Sequence, residues 1–411
     1  MPARRRPELI RRPKVALIVE TSLASGREIL SGIAHYIREQ GPWSVYHEPR
    51  GMEESVPRWL RRWRGDGIIA RIANRTIARA VLDARLPVVD VLGMVPDIGL
   101  PLVHVDNGAI ARLGAEHLLE RGFRFFGFVT VDGTYWAEAR ARAFTAAIEE
   151  VGLSCSICRL PPDTRGQRTW ERQEDELTRW VASLPKPTGI MVCNDPRGQL
   201  LLEACRRARI AVPEEVAVIG VDNDEPLCSI ADPPLSSVIP DHSAVGYRAA
   251  ALLHRLLQGR RPPKGPILVP PRGAVTRLST DALAIADPHI ATAVRFIREH
   301  ALHGVSIDDV VSHVPLSRST LQRRFRQLLG YTIHDEILRI RIRRARELLA
   351  ETELSIEEIT EKVGFSHRQY LGEVFREKTG ETLAGFRRRA SLARLSRPPG
   401  ANAARRFGLV T

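Results

Sequence analysis

The chain has 411 residues, 44% of them hydrophobic, and a formal net charge of +13. This length and composition predict a globular protein of two or three domains with a sizeable core. The apolar run VALIVE is too short for a secretory signal, and no run approaches a membrane span. A cytoplasmic location is therefore expected.

The basic excess is confined to the two ends of the chain. Residues 1–14 carry 6 Lys and Arg against 1 acidic residue, and residues 287–411 carry 22 against 15. Residues 15–286 are nearly neutral, with 33 against 32. A basic C-terminal part fits a phosphate-rich partner, whereas a neutral middle fits a small molecule or a protein.

Residues 15–280 alternate between strand and helix patterns, which predicts a doubly wound α/β domain. VALIVE reads as a buried strand, 29–41 as an amphipathic helix and 56–65 as a Trp-rich helix. The alternation restarts near residue 110, so two similar halves in tandem predict a hinged pair of lobes. Cys155 and Cys158 form a lone CxxC, which we interpret as two ordinary cysteines near a strand because no other metal ligands are arranged beside it.

Polar side chains follow three of the predicted strands. Glu20 and Ser22 follow VALIV, Asn194 and Asp195 follow GIMVC, and Asp222 ends VAVIGV. Ligands of open α/β sheets bind at the carboxyl ends of strands, so these residues are candidate ligand contacts. Asp222 could instead cap a turn with its neighbour Asn223. Asp106 and Asn107 are expected to be structural.

Residues 281–290 are predicted to form a linker. Residues 306–380 contain a sequence pattern that occurs twice. The copies are SIDDVVSHVPLSRSTLQRRFRQLLG and SIEEITEKVGFSHRQYLGEVFREKTG, separated by a strong helix pattern. Each copy predicts a helix, a tight turn and a second helix. Ser306 with Asp309, and Ser355 with Glu358, predict capping boxes, while Ser317 and Ser366 predict caps of the second helices.

The second helix of each copy is a candidate DNA reader. Leu321, Phe325 and Leu328 are expected to face inward in the first copy, and Tyr370 or Leu371 with Val374 and Phe375 in the second. Gln and Arg have the reach for bidentate contacts with base edges. The candidate DNA-binding residues are Arg318, Ser319, Gln322, Arg323, His367, Arg368, Gln369 and Glu373.

The basic residues around these helices have separate expected roles. Arg326 is expected to be exposed beside the candidate readers, and the arginines of the intervening helix could contact phosphates. They are Arg339, Arg341, Arg343, Arg344 and Arg346. Residues 1–14 and 391–411 are interpreted as basic tails, the latter as disordered, since it has few apolar residues.

Residues 291–390 resemble the AraC/XylS type of DNA-binding domain, chiefly through ARELLAETELSIEEITEKVGF and QYLGEVFREKTGETLAGFRR. The resemblance implies two recognition helices in adjacent major-groove segments. By position, Ser319, Gln322 and Arg323 would read bases in the first, and Arg368, Gln369 and Glu373 in the second. We expect the first copy to supply most of the sequence-specific DNA binding. Leu383 departs from the family, which usually has Pro there.

Residues 15–280 resemble the periplasmic-binding-protein fold in the version used by LacI-type repressors. The resemblance rests on VHVDNGAIARLGAEHLLERGFRFFGFV, CND and VAVIGVDND followed by LSSV. It implies that Arg140 grips a ligand. Asp, Asn and Arg around one cleft suit sugar hydroxyls, and Trp136 could either stack on a sugar or only pack. Pro240 stands where the family often has Gln, which makes Asp241 and His242 candidate substitutes.

The expected fold class is an α/β two-lobed periplasmic-binding-protein-like domain followed by an all-α double helix-turn-helix domain. A sugar-sensing domain ahead of an AraC-type reader resembles the xylose operon activators. This implies a sugar-responsive transcription regulator that senses xylose or a related monosaccharide and binds promoter DNA as a homodimer with RNA polymerase as a partner. No metal or other cofactor is expected.

Three alternatives remain open at this point. The chain could bind a small molecule without DNA activity, or be a regulator of the same architecture that responds to a non-sugar ligand. An enzyme is disfavoured because the sequence has no GxSxG elbow, no P-loop and no HExxH.

Overall fold

A computed structural model describes residues 12–49, 51, 56–162, 167–281, 287–352 and 354–395. The chain divides into two compact units between residues 284 and 285, inside the predicted linker 281–290. Most of the predicted N-terminal tail and residues 396–411 of the predicted C-terminal tail lie outside the described residues. Within the described part, no helix is both long and apolar enough to cross a membrane.

The first unit is built from alternating strands and helices. Its strands are β1 (Lys14–Ile18), β2 (Ser44–His47), β3 (Gly67–Ala70), β4 (Val88–Asp90), β5 (Val103–Val105), β6 (Phe125–Val131), β7 (Cys155–Leu160), β8 (Thr188–Val192), β9 (Val216–Val221), β10 (Ser236–Ile239), β11 (Ile267–Val269) and β12 (Gly273–Val275). Its helices are α1 (Ala24–Gln40), α2 (Arg75–Asp83), α3 (Asn107–Leu119), α4 (Tyr135–Glu149), α5 (Gln167–Ser183), α6 (Asp195–Arg207), α7 (Glu225–Ile230) and α8 (His242–Leu257). Short 3-10 helices lie at Arg58–Arg62 and Leu278–Thr280.

The first lobe contains a parallel sheet in the order β2-β1-β3-β4. Alternate residues of β1 enter different cores, because successive side chains of a strand point to opposite faces. Val15 and Leu17 pack with α1 and α8, whereas Ala16 and Ile18 pack with α2 and the 3-10 helix. The predicted helix 56–65 was wrong in extent, because the structure has only a short 3-10 helix at Arg58–Arg62. Within that turn, Leu60 is the one buried residue.

The second lobe contains a sheet in the order β12-β10-β9-β8-β6-β7, parallel except for the antiparallel β10–β12 pair. Its central strands are continuous apolar runs with every residue of β8 and β9 buried, as expected for strands covered on both faces. Cys155 and Cys158 both lie on β7, where Cys158 is buried.

The lobes are not two consecutive halves of the sequence, as the tandem pattern suggested. After β10 the chain returns to the first lobe as α8, which packs along α1. This crossing is close: a Cβ at Gly32 would lie 1.9 Å from the Ser243 carbonyl oxygen, and one at Gly246 2.0 Å from that of Ile29. The parallel pair β5–β11 runs beside it.

The second unit is all helical. Its helices are α9 (Pro288–His300), α10 (Ile307–His313), α11 (Arg318–Leu329), α12 (Ile333–Glu351), α13 (Ile356–Lys362), α14 (Arg368–Thr379) and α15 (Leu383–Leu395), with a 3-10 helix at Ala301–His303. Helix α12 supplies one end to each of two cores: Ile333 and Ile337 join α9–α11, while Leu348 and Leu349 join α13–α15. Helix α15 extends to Leu395, five residues into the predicted C-terminal tail.

Candidate functional site

A cavity of about 740 Å³ opens at the carboxyl ends of β1, β3, β8 and β9. Both lobes contribute polar side chains to its wall. The lining residues include Ser22, Ser25, Arg71, Asn74, Met94, His104, Trp136, Arg140, Asn194, Arg197, Asp222 and His242. Of the predicted ligand contacts, Ser22, Trp136, Arg140, Asn194 and Asp222 line the cavity, whereas Glu20 and Asp195 do not.

Glu20 acts behind the wall by holding Arg71. The Arg71 guanidinium donates to the Glu20 carboxylate and, over 3.0 Å, to the Ser25 hydroxyl. Both partners of the ion pair are buried. Burial raises the pKa of Glu20, although the neighbouring Arg71 acts in the opposite direction. The prediction of direct contact by Glu20 finds no support in this geometry, because Arg71 is the member of the pair that lines the cavity.

Arg140 is held in one orientation from the second lobe. Its Nε donates to Asn107 Oδ1 over 2.9 Å, and Nη1 donates to the Cys193 carbonyl over 2.6 Å. Its guanidinium carbon lies 4.9 Å from the centre of the Trp136 ring. Trp136 therefore both packs and lines the cavity. Asn107, expected to be structural, supports Arg140 directly.

Asp222 projects from a strained turn at the end of β9. Its φ is 106° and that of Asn223 is 50°, values that residues other than glycine rarely adopt and that often mark functional sites. Asp222 Oδ1 lies 3.4 Å from His242 Nε2. Burial acts to raise the pKa of Asp222, but the His242 contact and the positive Arg140 and Arg71 outweigh it and lower that pKa below its ordinary value. The carboxylate is thus kept ionised.

Asn194 and Asp195 have different positions although they are neighbours. Asn194 caps α6 by accepting from the Arg197 amide and also lines the cavity. Asp195 is fully buried and accepts from the Ser237 hydroxyl at 2.6 Å and the Asp224 amide at 2.8 Å. Burial, with a contribution from Asp222, raises the pKa of Asp195 to about 7. Its contacts support the Asp222 turn, and no direct route to a ligand is apparent.

The second unit presents α11 and α14 as two exposed helices in equivalent positions. Capping boxes form at Ser306 and Ser355, as predicted, and Ser317 caps α11. The predicted cap at Ser366 is wrong, because α14 begins after His367 and has no side-chain cap. Leu328 was predicted to face inward but is exposed. Leu329 is buried instead and joins the core formed by α9–α12.

Some of the candidate DNA-binding side chains already form ion pairs or hydrogen bonds within the protein, and others do not. Arg318 forms an ion pair with Asp308, and Arg368 pairs with Glu357 at 2.5 Å, the matching position in the second copy. Gln369 donates to Glu373. All eight candidates, including Ser319 and His367, are exposed. Within the described chain, Gln322 and Arg323 have no hydrogen bond or ion pair to another side chain.

The intervening helix uses several of its arginines inside the protein. Arg341 donates to the backbone carbonyls of Ala301 and Val305, just before the first copy. Arg339 pairs with the fully buried Glu336, and Arg344 with Glu347. Arg346 lies over the Phe386 ring. That this helix contributes phosphate contacts stays a prediction for its exposed arginines. The guanidinium of Arg341 is instead bonded to backbone carbonyls within the protein.

Family profiles match three parts of the chain. They are described as XylR N-terminal domain for residues 14–98, periplasmic binding protein-like domain for 115–280, and helix-turn-helix domain for 310–389. The xylose operon regulatory protein of Escherichia coli K12 is 34% identical over 390 residues, which cover 92% of this chain and 97% of that protein. The chain belongs to the xylose operon regulatory protein family.

Further relatives and solved structures agree with this membership. The Haemophilus influenzae xylose operon regulatory protein is 32% identical, covering 91% of this chain and 98% of its own. A structure described as the xylose-binding transcription activator xylR has a TM-score of 0.78 at 32% identity, covering 92% of this chain and 98% of that one. A LacI-type regulator from Alkaliphilus metalliredigens, at 19% identity and a TM-score of 0.53, covers 66% of this chain and 100% of that one, and shows the fold alone.

Membership of this family confirms the predicted fold class and the predicted role. The chain is a DNA-binding transcription regulator, and its matching relatives are regulators rather than enzymes. Leu383, which departs from the usual Pro, is the first residue of α15 and is buried in the core. The first helical position accepts either residue, because its backbone N–H needs no partner within the helix.

Sequence reasoning missed several cavity residues. Arg71 follows β3 and could have been found by the rule that was applied to β1, β8 and β9. His104 lies on β5, inside an apolar strand pattern that gave no sign of a ligand site. Burial lowers the pKa of His104 to about 3, so its imidazole is neutral. His242 was considered as a substitute for the family's Gln, and it lines the cavity beside Asp222.

Proposed function

We propose that the chain is a transcription activator whose effector is xylose or a closely related monosaccharide, bound in the cavity of the first unit. The proposal is supported by relatives named as xylose operon regulatory proteins over nearly the whole chain. A structure of 32% identity, described as a xylose-binding transcription activator, supports the same effector class.

The observation that carries the proposal is the opposition of fixed donors and acceptors across one cavity. Arg71 enters from the first lobe, and Arg140 and Asn194 enter from the second. The ionised Asp222 supplies an acceptor. A sugar hydroxyl both donates and accepts, so such a ring of groups satisfies several hydroxyls, and the volume of about 740 Å³ lies in the range of small-molecule sites.

Ligand binding between two lobes favours their closed arrangement. The effector can shift this equilibrium only by the difference between its affinities for the open and closed states. Contacts that need residues of both lobes at once, such as Arg71 with Arg140, supply that difference. The closed lobes would then alter the placement of two DNA-reading units within a homodimer.

The DNA-binding residues are proposed for the exposed faces of α11 and α14. Gln322 and Arg323 are the strongest candidates for base contacts, because their side chains are exposed and uncommitted within the described chain. Arg318 and Arg368 are proposed to contact DNA while held by Asp308 and Glu357. RNA polymerase as a partner, the homodimer and a cytoplasmic location belong to the same proposal.

The effector claim is tested by thermal shift and titration calorimetry with a panel of pentoses and hexoses. Binding to the native state raises the unfolding temperature by mass action. We expect xylose or a near relative to stabilise the chain, and Asp222→Ala and Arg140→Ala to abolish the shift. Asp132→Asn, at an exposed position of the second lobe, is the control and should retain it. Stabilisation by a non-sugar ligand alone would contradict the proposal.

The DNA claim is tested by gel shift and footprinting on the region upstream of the gene and of sugar-utilisation operons. We expect a protected site whose occupancy or spacing changes with the sugar. A chain that binds the sugar yet protects no DNA would be a small-molecule-binding protein without regulatory activity.

A further inference from the structure

A basic and aromatic surface occupies the β2 edge of the first lobe and shares no lining residue with the cavity described above. The 3-10 helix Arg58–Arg62 buries only Leu60 and turns Arg58, Arg61 and Arg62 to the outside. An open concavity of about 860 Å³ lies beside it. We call this surface the arginine patch, lined by Tyr46, Val56, Pro57, Arg58, Trp59, Arg61, Arg62 and Trp63.

Three aromatic rings fix the patch on the sheet edge. Tyr46 lies on β2, the edge strand, with its ring centre 4.8 Å from that of Trp59 and 5.7 Å from that of Trp63. The two indoles lie 5.7 Å apart, and Trp59 Nε1 donates to Glu48. Such edge-to-face clusters hold the short helix in place, so its arginines project from a rigid base.

The described residues supply no salt-bridge partner for the three arginines of the 3-10 helix. Among the described residues, Arg58, Arg61 and Arg62 have no ion pair, and Arg64 contacts only the Trp63 carbonyl. Two acids of the described chain near the patch bond other groups: Glu48 accepts from Trp59, and Asp66 accepts from the Lys14 amide.

The patch also adjoins the start of β1. The Asp66 amide donates to the Lys14 carbonyl, which places the segment after Trp63 beside the beginning of the sheet. Arg12 and Lys14 are exposed there. Among the described residues, Arg12 and Lys14 thus add to the positive charge of this edge, although residues 15–286 as a whole are almost neutral.

We propose that the arginine patch is a second DNA-binding surface that contacts the phosphate backbone of duplex DNA outside the segments read by α11 and α14. Closely spaced, unpaired arginines on a rigid base suit phosphate contacts, which add affinity without sequence information. The inference rests on the proposed DNA-binding function, because duplex DNA is the polyanion that the second unit is proposed to bind. An acidic protein partner is the competing occupant.

The test is the salt dependence of binding to a duplex of about 60 base pairs containing the selected site, followed by fluorescence anisotropy between about 50 and 200 mM salt. Each released phosphate contact contributes about 0.9 to the slope of log K against log salt, so the triple variant R58Q/R61Q/R62Q should lower the slope by about 2–3. R58K/R61K/R62K should restore it, because the contact needs charge rather than guanidinium geometry.

The matched control is R124Q/R248Q/R255Q, which removes the same charge from other exposed positions of the first unit. It should leave the slope nearly unchanged, and equal melting temperatures would show that all variants fold. Equal slopes for the two Gln variants would overturn the proposal. Loss of transcription activation by the patch variant with unchanged DNA binding would also overturn it, in favour of an acidic protein partner. Absence of DNA binding by the wild type would instead refute the DNA-binding role itself.

Discussion

Arg341 on α12 donates from Nε to the Ala301 carbonyl at 2.7 Å and thereby links the intervening helix to the segment just before the first helix-turn-helix copy. Its Nη2 donates to the Val305 carbonyl at 3.0 Å, and its guanidinium carbon lies 5.6 Å from the Phe365 ring. Gly364 fits closely against the same place: a Cβ there would lie 2.9 Å from the Ala301 carbonyl oxygen. One arginine thus donates to the segment just before the first copy, whose Ala301 and Val305 belong to the core of α9–α12, and packs its guanidinium face near Phe365 of the second copy.

Replacing Arg341 with Gln should loosen the spacing between α11 and α14. Two charge-assisted hydrogen bonds at a half-buried site are lost, which we expect to cost the second unit about 1–3 kcal/mol. In gel shifts, wild type should discriminate strongly against operators with base pairs inserted between the two read segments, whereas Arg341→Gln should discriminate less.

Arg344→Gln is the control for this experiment, because Arg344 is exposed on the same helix and pairs with Glu347. It should keep the spacing preference of the wild type. If Arg341→Gln weakened binding equally at every spacing, Arg341 would be a phosphate contact of the kind expected from the sequence.

Gly246→Ala should destabilise the first unit. The added methyl group would meet the Ile29 carbonyl oxygen at 2.0 Å, where neither backbone can yield without separating α1 from α8. Overpacking of this kind costs about 1–3 kcal/mol, and more where the backbone must move. Chemical denaturation measures the loss. Gly265→Ala should be nearly neutral, because no heavy atom of the described chain lies within 4 Å of its Cβ position.

Helices and strands were predicted correctly where the local sequence pattern itself determines the structure. Buried strands such as β8 and β9 read directly as apolar runs, and the boxes at Ser306 and Ser355 follow from local cap chemistry. The same local reasoning failed at Ser366, where the position of the turn decided that α14 starts one residue later. It failed again at Leu328, because the core of α9–α12 takes up Leu329 and leaves Leu328 exposed, which the spacing alone does not decide.

The candidate cavity was predictable only in part, for a related reason. Residues that follow strands were found because parallel strands end at one edge of the sheet. Arg71 and Glu20 form a pair across 51 positions of sequence, and which of the two reaches the cavity depends on side-chain orientation. His104 enters from β5, and no local pattern distinguishes it from a core residue.

Glu20→Gln should weaken effector binding although Glu20 does not line the cavity. Without its carboxylate, Arg71 loses its charged partner and its fixed orientation, and we expect at least a tenfold loss of affinity, about 1.4 kcal/mol, by calorimetry. Breaking one side of a buried ion pair can also cost about 3–5 kcal/mol of stability. The double variant Glu20→Met with Arg71→Met should recover stability but not binding. Recovery of both would show that the pair is only structural.

Acid should destabilise the first unit through His117. Burial, with a smaller contribution from Arg121, lowers the pKa of His117 from 6.5 to about 4. The unfolded chain therefore takes up a proton near pH 6.5, while the folded chain does so only near pH 4. The stability contribution is complete above pH 6.5 and is lost as the pH falls towards 4.

His117→Gln isolates this effect, because Gln can still bond the Thr280 hydroxyl that His117 Nε2 contacts at 2.8 Å. The difference in unfolding free energy between wild type and variant should shrink by on the order of 3 kcal/mol across that interval. A difference independent of pH would mean that His117 does not titrate as its burial requires. Asp195, whose pKa is raised to about 7, makes stability depend on pH in the opposite direction. Because wild type and variant share Asp195, its contribution cancels in the difference between them.

Arg323→Ala should cost more DNA affinity than Arg318→Ala. Arg323 is exposed and uncommitted within the described chain, so its guanidinium is available for a bidentate contact with guanine, worth about 1–3 kcal/mol. Arg318 must share its charge with Asp308, and Arg368 is held in the same way by Glu357. Anisotropy titrations on one operator and on single-base variants measure both affinity and preference. Arg323→Ala should relax the preference at one position of the first read segment. An equal, sequence-independent loss for both variants would instead assign Arg323 to the phosphate backbone.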